Sequence, residues 1–258
     1  MKYFVVNSFT DALFSGNPAG VCLVDAFPED MLMQRIAAEN RLSETAFVTP
    51  AGGDFALRWF TPKAEVELCG HATLATAFVL LTRTHPHLPR AVFHTLSGAL
   101  TVTRAGDQFE MDFPAREQAQ MEVTREIARL IDKPVLEAYG GYNLMLLLGS
   151  EEDVRTAVPR LDAMLRLSDY HGVIITARGS DVDFVSRFFA PAMGIDEDPV
   201  TGSTHTSLAP YWGARLGKEA LTARQVSARG GVLWCRQEGV RVIISGEACL
   251  YSVGELFV

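Results

Sequence analysis

Apolar positions along the chain recur mostly in short runs of period two, and only a few segments carry them at helical spacing. Residues 3–6, 21–24, 45–49 and 55–60 read as strands. Between the first two, Gly16-Asn17-Pro18-Ala19-Gly20 reads as a turn. Pro28 is expected to open a helix running to Asn40, since the first helical N–H has no partner anyway, and Glu29 and Asp30 suit the positive end of its dipole. Residues 72–82 form an apolar helix pattern, followed by three runs, 91–95, 100–104 and 108–113, that read as a meander. Beyond a polar stretch at 113–118, the pattern predicts a helix over 123–131 and a strand over 142–148. It then predicts helical structure over 154–166, strands over 172–176 and 184–189, and a helix over 204–216. The last forty residues alternate around Gly230-Gly231 and Gly239 as hairpins do. Strands outnumber helices, yet each half holds a long apolar helix, which points to an α+β fold rather than a doubly wound parallel sheet.

The two halves echo each other. Trp59-Phe60-Thr61-Pro62 leads, eight residues after the proline, to Gly70-His71 at the start of one apolar helix. Phe188-Phe189-Ala190-Pro191 leads, eleven residues after its proline, to Gly202-Ser203 at the start of another. Such a repeat predicts two similar domains, 1–113 and 114–258, with a terminal strand able to return to the first and an active site in the cleft between them. Chance recurrence of a common strand–turn–helix unit is the alternative.

Composition narrows the class. The 48% apolar and 21% charged residues are those of an ordinary globular chain, long enough to build a core without disulfides. The net charge of −8 argues against a nucleic-acid or anionic-membrane partner. The four cysteines form no CxxC pair and no Cys/His cluster of zinc-ligand spacing, which fits reduced thiols in a cytoplasm and no metal. No apolar stretch approaches a membrane span, and the opening run is too short for a signal peptide.

Candidate chemistry gathers at the two glycine turns. Each offers unpaired backbone N–H groups at a helix N-terminus, where glycine lets a small carboxylate approach closely; neither matches a phosphate loop. Glu44 stands at the start of a strand on the face of Ala46 and Val48, where lost solvation would suit a general base; a solvated strand-edge glutamate is the alternative. His71, at a helix start, is expected to stay neutral against the dipole and to bond a substrate or pass a proton, unless it is a surface cap. Asp198 would bind or protonate substrate in the same environment, unless Asp196-Glu197-Asp198 is a solvated turn. Cys69 is a reactive thiol if the helix terminus lowers its pKa, and otherwise a buried inert one.

Taken together, Gly16-Asn17-Pro18-Ala19-Gly20-Val21, Ser43-Glu44-Thr45, Phe60-Thr61-Pro62, Leu68-Cys69-Gly70-His71-Ala72-Thr73 and Asp198-Pro199-Val200-Thr201-Gly202-Ser203 resemble the PhzF-like (phenazine biosynthesis-like) isomerase family. That family shares its fold with diaminopimelate epimerase and proline racemase. Leu208-Ala209-Pro210-Tyr211-Trp212 and Arg229-Gly230-Gly231 extend the match nearly end to end, although Pro210 would otherwise count against a helix. The resemblance implies two similar domains, each a curved, mostly antiparallel, barrel-like sheet around a central helix. It implies a homodimer and a cofactor-independent isomerase, in which Glu44 moves a proton between carbons of a small carboxylate-bearing substrate. His71 and Asp198 join Glu44 as catalytic residues, and Asn17, Gly70, Gly202 and Ser203 are expected to bind substrate. Asn7 and Glu67 depart from the family pattern, and the connection between Phe113 and Gly172 is short for it. The alternatives are a racemase or epimerase using Cys69 as one base, and a non-catalytic ligand- or partner-binding protein on the same fold.

Overall fold

The computed structural model describes residues 1–258. The chain divides into two compact units, Met1–Asp112 with Ser245–Val258, and Phe113–Ile244.

Unit 1 opens with β1 (Lys2–Ser8), antiparallel to β2 (Asn17–Leu23) on one side and to the C-terminal strand (Ala248–Glu255) on the other. Helix α1 (Asp30–Asn40) then crosses over to β3 (Glu44–Ala51), which is parallel to β2. β4 (Asp54–Phe60) returns antiparallel to β3, and the two-residue β5 (Glu65–Val66) leads into α2 (Gly70–Val79). A wider π turn over Leu80–Thr84 extends that helix, closed by a His85 N–H bond to the Leu80 carbonyl. β6 (Arg90–Thr95), parallel to β4, then runs into the antiparallel β7 (Gly98–Ala105) and β8 (Gln108–Pro114). All of α2 except Gly70 and Phe78 is buried, and the helix meets β1, β2, β3, β7 and the C-terminal strand. The sheet curls around it without closing. A helix apolar on all sides belongs inside.

Unit 2 is wired the same way. β9 (Ala119–Met121) pairs with β10 (Glu137–Gly140), which is antiparallel to β11 (Leu144–Leu147). Two short helices, α3 (Glu151–Thr156) and α4 (Leu161–Met164), cross to β12 (Val173–Arg178), parallel to β11. β13 (Phe184–Ala190) returns antiparallel, and the short β14 (Ile195–Asp198) leads to α5 (His205–Leu216). β15 (Ala220–Gln225) is then parallel to β13, as β6 is to β4, and β16 (Gly231–Glu238) and β17 (Arg241–Gly246) follow. The order antiparallel hairpin, crossover, antiparallel return, short strand, buried helix, parallel strand therefore occurs twice, each time with the Gly turn opening the buried helix. The fold is α+β, with curved, mostly antiparallel sheets.

Three sequence expectations fail locally. Residues 16–20 are not all turn: Gly16 alone takes the left-handed conformation, φ 68°, and β2 starts at Asn17. Pro18 is tolerated because the β2–β3 ladder begins only at Ala19, opposite Glu44, so no bond there needs its missing N–H. The helix expected over 123–131 reduces to one 3-10 turn, Ile127–Arg129. The helix expected over 154–166 is split by Pro159 into α3 and α4. Conversely, Pro210 does sit inside α5. The carbonyl it leaves without a helical donor, that of Thr206, accepts the backbone N–H of Arg116 at 3.0 Å. No helix is long and apolar enough to cross a membrane.

Candidate active site

In unit 1, Glu44 is the first residue of β3 and only 8% exposed. Phe47 of the same strand packs with Cys22, Met33, Ile36 and Phe60 on the α1 side. Glu44, an odd number of residues away, therefore points to the opposite face, toward α2. There Cys69 is the N-cap residue, with no side-chain capping bond, and His71 is the second helical residue. His71 Nε2 lies 3.1 Å from Glu44 Oε2 and Nδ1 lies 3.4 Å from Cys69 Sγ, so the imidazole stands between carboxylate and thiol. The Glu44 contact is at ion-pair distance but off the line of a good hydrogen bond, and both Nε2 and Oε2 lack an aligned partner. Ser8 at the end of β1 donates its hydroxyl to the His71 carbonyl at 2.7 Å. Asn17, fully buried, is paired directly across from Ser8. Gly70, Asn17, Glu44 and His71 thus gather at the start of α2.

The electrostatics correct one expectation. Burial penalises a charged imidazole, but negative charge at Cys69 and Glu44 favours it, and His71 is held well above its ordinary range. The charge that acts near neutrality is that of Glu44, because the Cys69 thiol is pushed up to about 11, first by burial and then by the Glu44 charge. The surroundings of His71 thus favour its cation, against the neutral ring that the helix dipole alone would give. Cys69 is buried, and burial favours its neutral thiol. The same three residues each offer one donor atom within 4.8 Å of the others, a set that a thiophilic ion could use. The ring turns a different nitrogen to each neighbour, Nε2 to Glu44 and Nδ1 to Cys69.

In unit 2, Asp198 ends β14 and is 8% exposed. It accepts the Thr201 hydroxyl. Gln225 of β15 clamps this turn: its Nε2 donates to the Asp198 carbonyl at 2.7 Å and its Oε1 accepts the Thr201 N–H at 2.9 Å. Gly202 and Ser203 begin a 3-10 turn, Gly202–Thr204, whose N-cap residue Thr201 makes no side-chain capping bond. His205 follows, fully buried, with Nδ1 2.9 Å from the Thr201 carbonyl. A carbonyl only accepts, so Nδ1 carries the proton. Burial pushes the pKa of this ring down to about 4 against the opposing effect of that bond. Asp198, Gly202 and Ser203 are thus neighbours on one turn. Gln225 and His205 escaped the sequence reading: Gln225 lies 24 residues beyond Thr201 with no local signal, and His205 directly follows the glycine turn without a motif of its own.

The chain is thus a twice-wired α+β protein with a buried Glu–His pair at one helix start and an Asp–Thr–Gly–Ser turn at the other. The family model described as phenazine biosynthesis-like protein (PhzC-PhzF) matches residues 6–254, and the chain belongs to that family. It is 51% identical over 257 residues to an uncharacterized isomerase of Pseudomonas aeruginosa, covering 99% of this chain and 98% of that one. A solved PhzF-family protein of Enterococcus faecalis superposes with a TM-score of 0.98 at 44% identity, covering 100% and 99%. A PhzC/PhzF protein of Clostridium difficile gives 0.96 at 46%, covering 100% of both chains. A hydroxyproline epimerase from Agrobacterium vitis shares the fold, with a TM-score of 0.66 at 12% identity over 98% and 91% of the two chains. The chain is an isomerase-type enzyme of the PhzF-like family.

Proposed function

We propose that the chain isomerises a small carboxylate-bearing substrate without a cofactor, with Glu44 as the acid/base that moves a proton between two carbons. The observation that carries this reading is the buried Glu44 carboxylate, 3.1 Å from His71, at the uncapped start of α2. Deprotonating a carbon acid places negative charge on the neighbouring carboxylate. Backbone N–H groups at the start of α2, by Gly70, would stabilise that charge without reorganising, and Gly202 and Ser203 would bind substrate. His71, cationic beside Glu44, would orient the carboxylate and offset the charge it carries as base. Asn17 would bind substrate, and Asp198, steadied by Thr201, would serve as the second polar catalytic group. Bound trans-4-hydroxy-L-proline in the Agrobacterium vitis epimerase is in keeping with a small carboxylate as ligand for this fold.

An epimerase using Cys69 as a base is disfavoured, since a thiol with a pKa of about 11 is poorly matched to proton transfer near neutrality. Assembly as a homodimer is part of the proposal; light scattering should give twice 28.2 kDa, and a mass of 28.2 kDa would remove it. A thermal-shift screen of small acids supplies the substrate, because a ligand raises stability by mass action. Deuterium from solvent should then enter the converted product at carbon. A ligand that binds without conversion or exchange would make the chain a binding protein instead.

A further inference from the structure

Most of the well-placed arginines are answered by acids. Arg58 meets Asp30 and Glu65, Arg187 meets Glu197, Arg215 meets Glu137 and Arg224 meets Asp181. Arg116 is different. Its guanidinium lies on the ring of Tyr142, 3.9 Å from the centroid, and its Nη1 is buried with no hydrogen-bond partner. Its charge also depresses the pKa of His171, whose ring stacks on the same Tyr142 at 4.6 Å, with burial the larger cause. An unpaired, partly buried guanidinium is costly to keep, and five N–H donors in a planar fork fit a carboxylate.

Its position is fixed by the fold. The Arg116 N–H occupies the Thr206 carbonyl that Pro210 frees in the first turn of α5, and the Thr206 hydroxyl donates back to the Ser203 carbonyl at 2.7 Å. Arg116 is thereby anchored one helical turn from Gly202 and Ser203. Beside it, Gln118 donates Nε2 to Ser207 at 3.0 Å, leaving Oε1 buried and unpartnered, and Asn143 Oδ1 is buried and unpartnered too. Asn143 stands immediately before β11, as Asn17 stands at the start of β2, so in each unit an asparagine ends the first hairpin. An unanswered guanidinium, with unanswered amide oxygens on Gln118 and on Asn143, the neighbour of Tyr142 in the chain, is the complement of an anionic group that also carries a donor.

We infer that Arg116 receives a second carboxylate of the substrate, so that the substrate class is a diacid rather than a simple monoacid. This rests on the proposed isomerase reading for the first carboxylate, which binds elsewhere. The probes are the unbranched diacids from malonate to adipate, each set against the monoacid of equal chain length, with binding measured by calorimetry. A charge-assisted bond of this kind corresponds to roughly ten- to a hundredfold in affinity. At least one diacid should bind the wild-type protein that much tighter than its monoacid. Arg116→Met should abolish the preference while leaving monoacid binding within about threefold, and Arg116→Lys should retain part of it. Circular dichroism of Arg116→Lys checks that the position tolerates change. Absence of any diacid preference in the wild-type protein, or its survival in Arg116→Met, overturns the inference. Neither result bears on Glu44, whose role is tested separately by turnover.

Discussion

Replacing Glu44 by Gln should reverse the titration of His71. Burial disfavours the cation on this ring, while Cys69 and the Glu44 carboxylate 3.1 Å from Nε2 favour it. At 4 Å and an effective dielectric near 20, unit charges attract by about 4 kcal/mol, enough to weigh against the cost of burial. The Gln amide keeps the size and an acceptor oxygen but removes the Glu44 charge, leaving burial opposed only by Cys69. The His71 pKa should fall clearly below its wild-type position. The sign for stability follows. A pKa raised in the folded state stabilises fully below the unfolded value and the gain is lost as pH rises through the folded one. The variant should therefore lose most, relative to wild type, in mildly acidic buffer. Long-range ¹⁵N–¹H NMR of the imidazole, titrated from pH 4 to 10, reads both the pKa and the tautomer. An unchanged or higher His71 pKa in Glu44→Gln would refute the assignment of the shift to Glu44.

Other outcomes follow from the same geometry. Cys69→Ser should keep turnover within about tenfold, because a thiol at about 11 carries no obligatory proton; a loss beyond 10³ in kcat would restore it as a base. Chelators should leave activity unchanged, and a loss reversed by zinc or magnesium would place a metal on Glu44, Cys69 and His71. His205, neutral with a pKa of about 4, is a liability in acid: the unfolded ring protonates below about 6.5 while the folded one does not, so stability falls between those values. His205→Gln should flatten the melting temperature against pH over that interval, and an unaltered slope would show that other groups set it.

The fold was legible where one physical signal dominated. The strands of the 90–114 meander are period-two runs bounded by turns, and α2 and α5 are apolar runs with glycine at or just before their starts. Residues 123–131 misled because their apolar spacing suits a helix, yet tertiary pairing takes the backbone. Leu130 offers its carbonyl to the Arg160 N–H and Asp132 its N–H to the Val158 carbonyl. Ile127, Leu130 and Ile131 still enter the core, singly rather than as a helical stripe. In the site, Glu44 and His71 were legible from the strand start and the glycine turn. The charge state of His71 was not, because the dipole of its own helix is local in sequence and Glu44, 27 residues away, is not. Gln225 was invisible for the same reason, since its partners Asp198 and Thr201 lie more than twenty residues away.

The central claim is that Glu44 carries the proton. With a substrate in hand, turnover in deuterated water and substrate affinity would be measured for wild type and Glu44→Gln side by side. Wild type should place solvent deuterium at carbon in the product, and Glu44→Gln should lose roughly 10² to 10⁴ in rate with affinity little changed, since the proposal assigns carboxylate binding to groups other than Glu44. Turnover and deuterium uptake at the wild-type rate in Glu44→Gln would contradict the account.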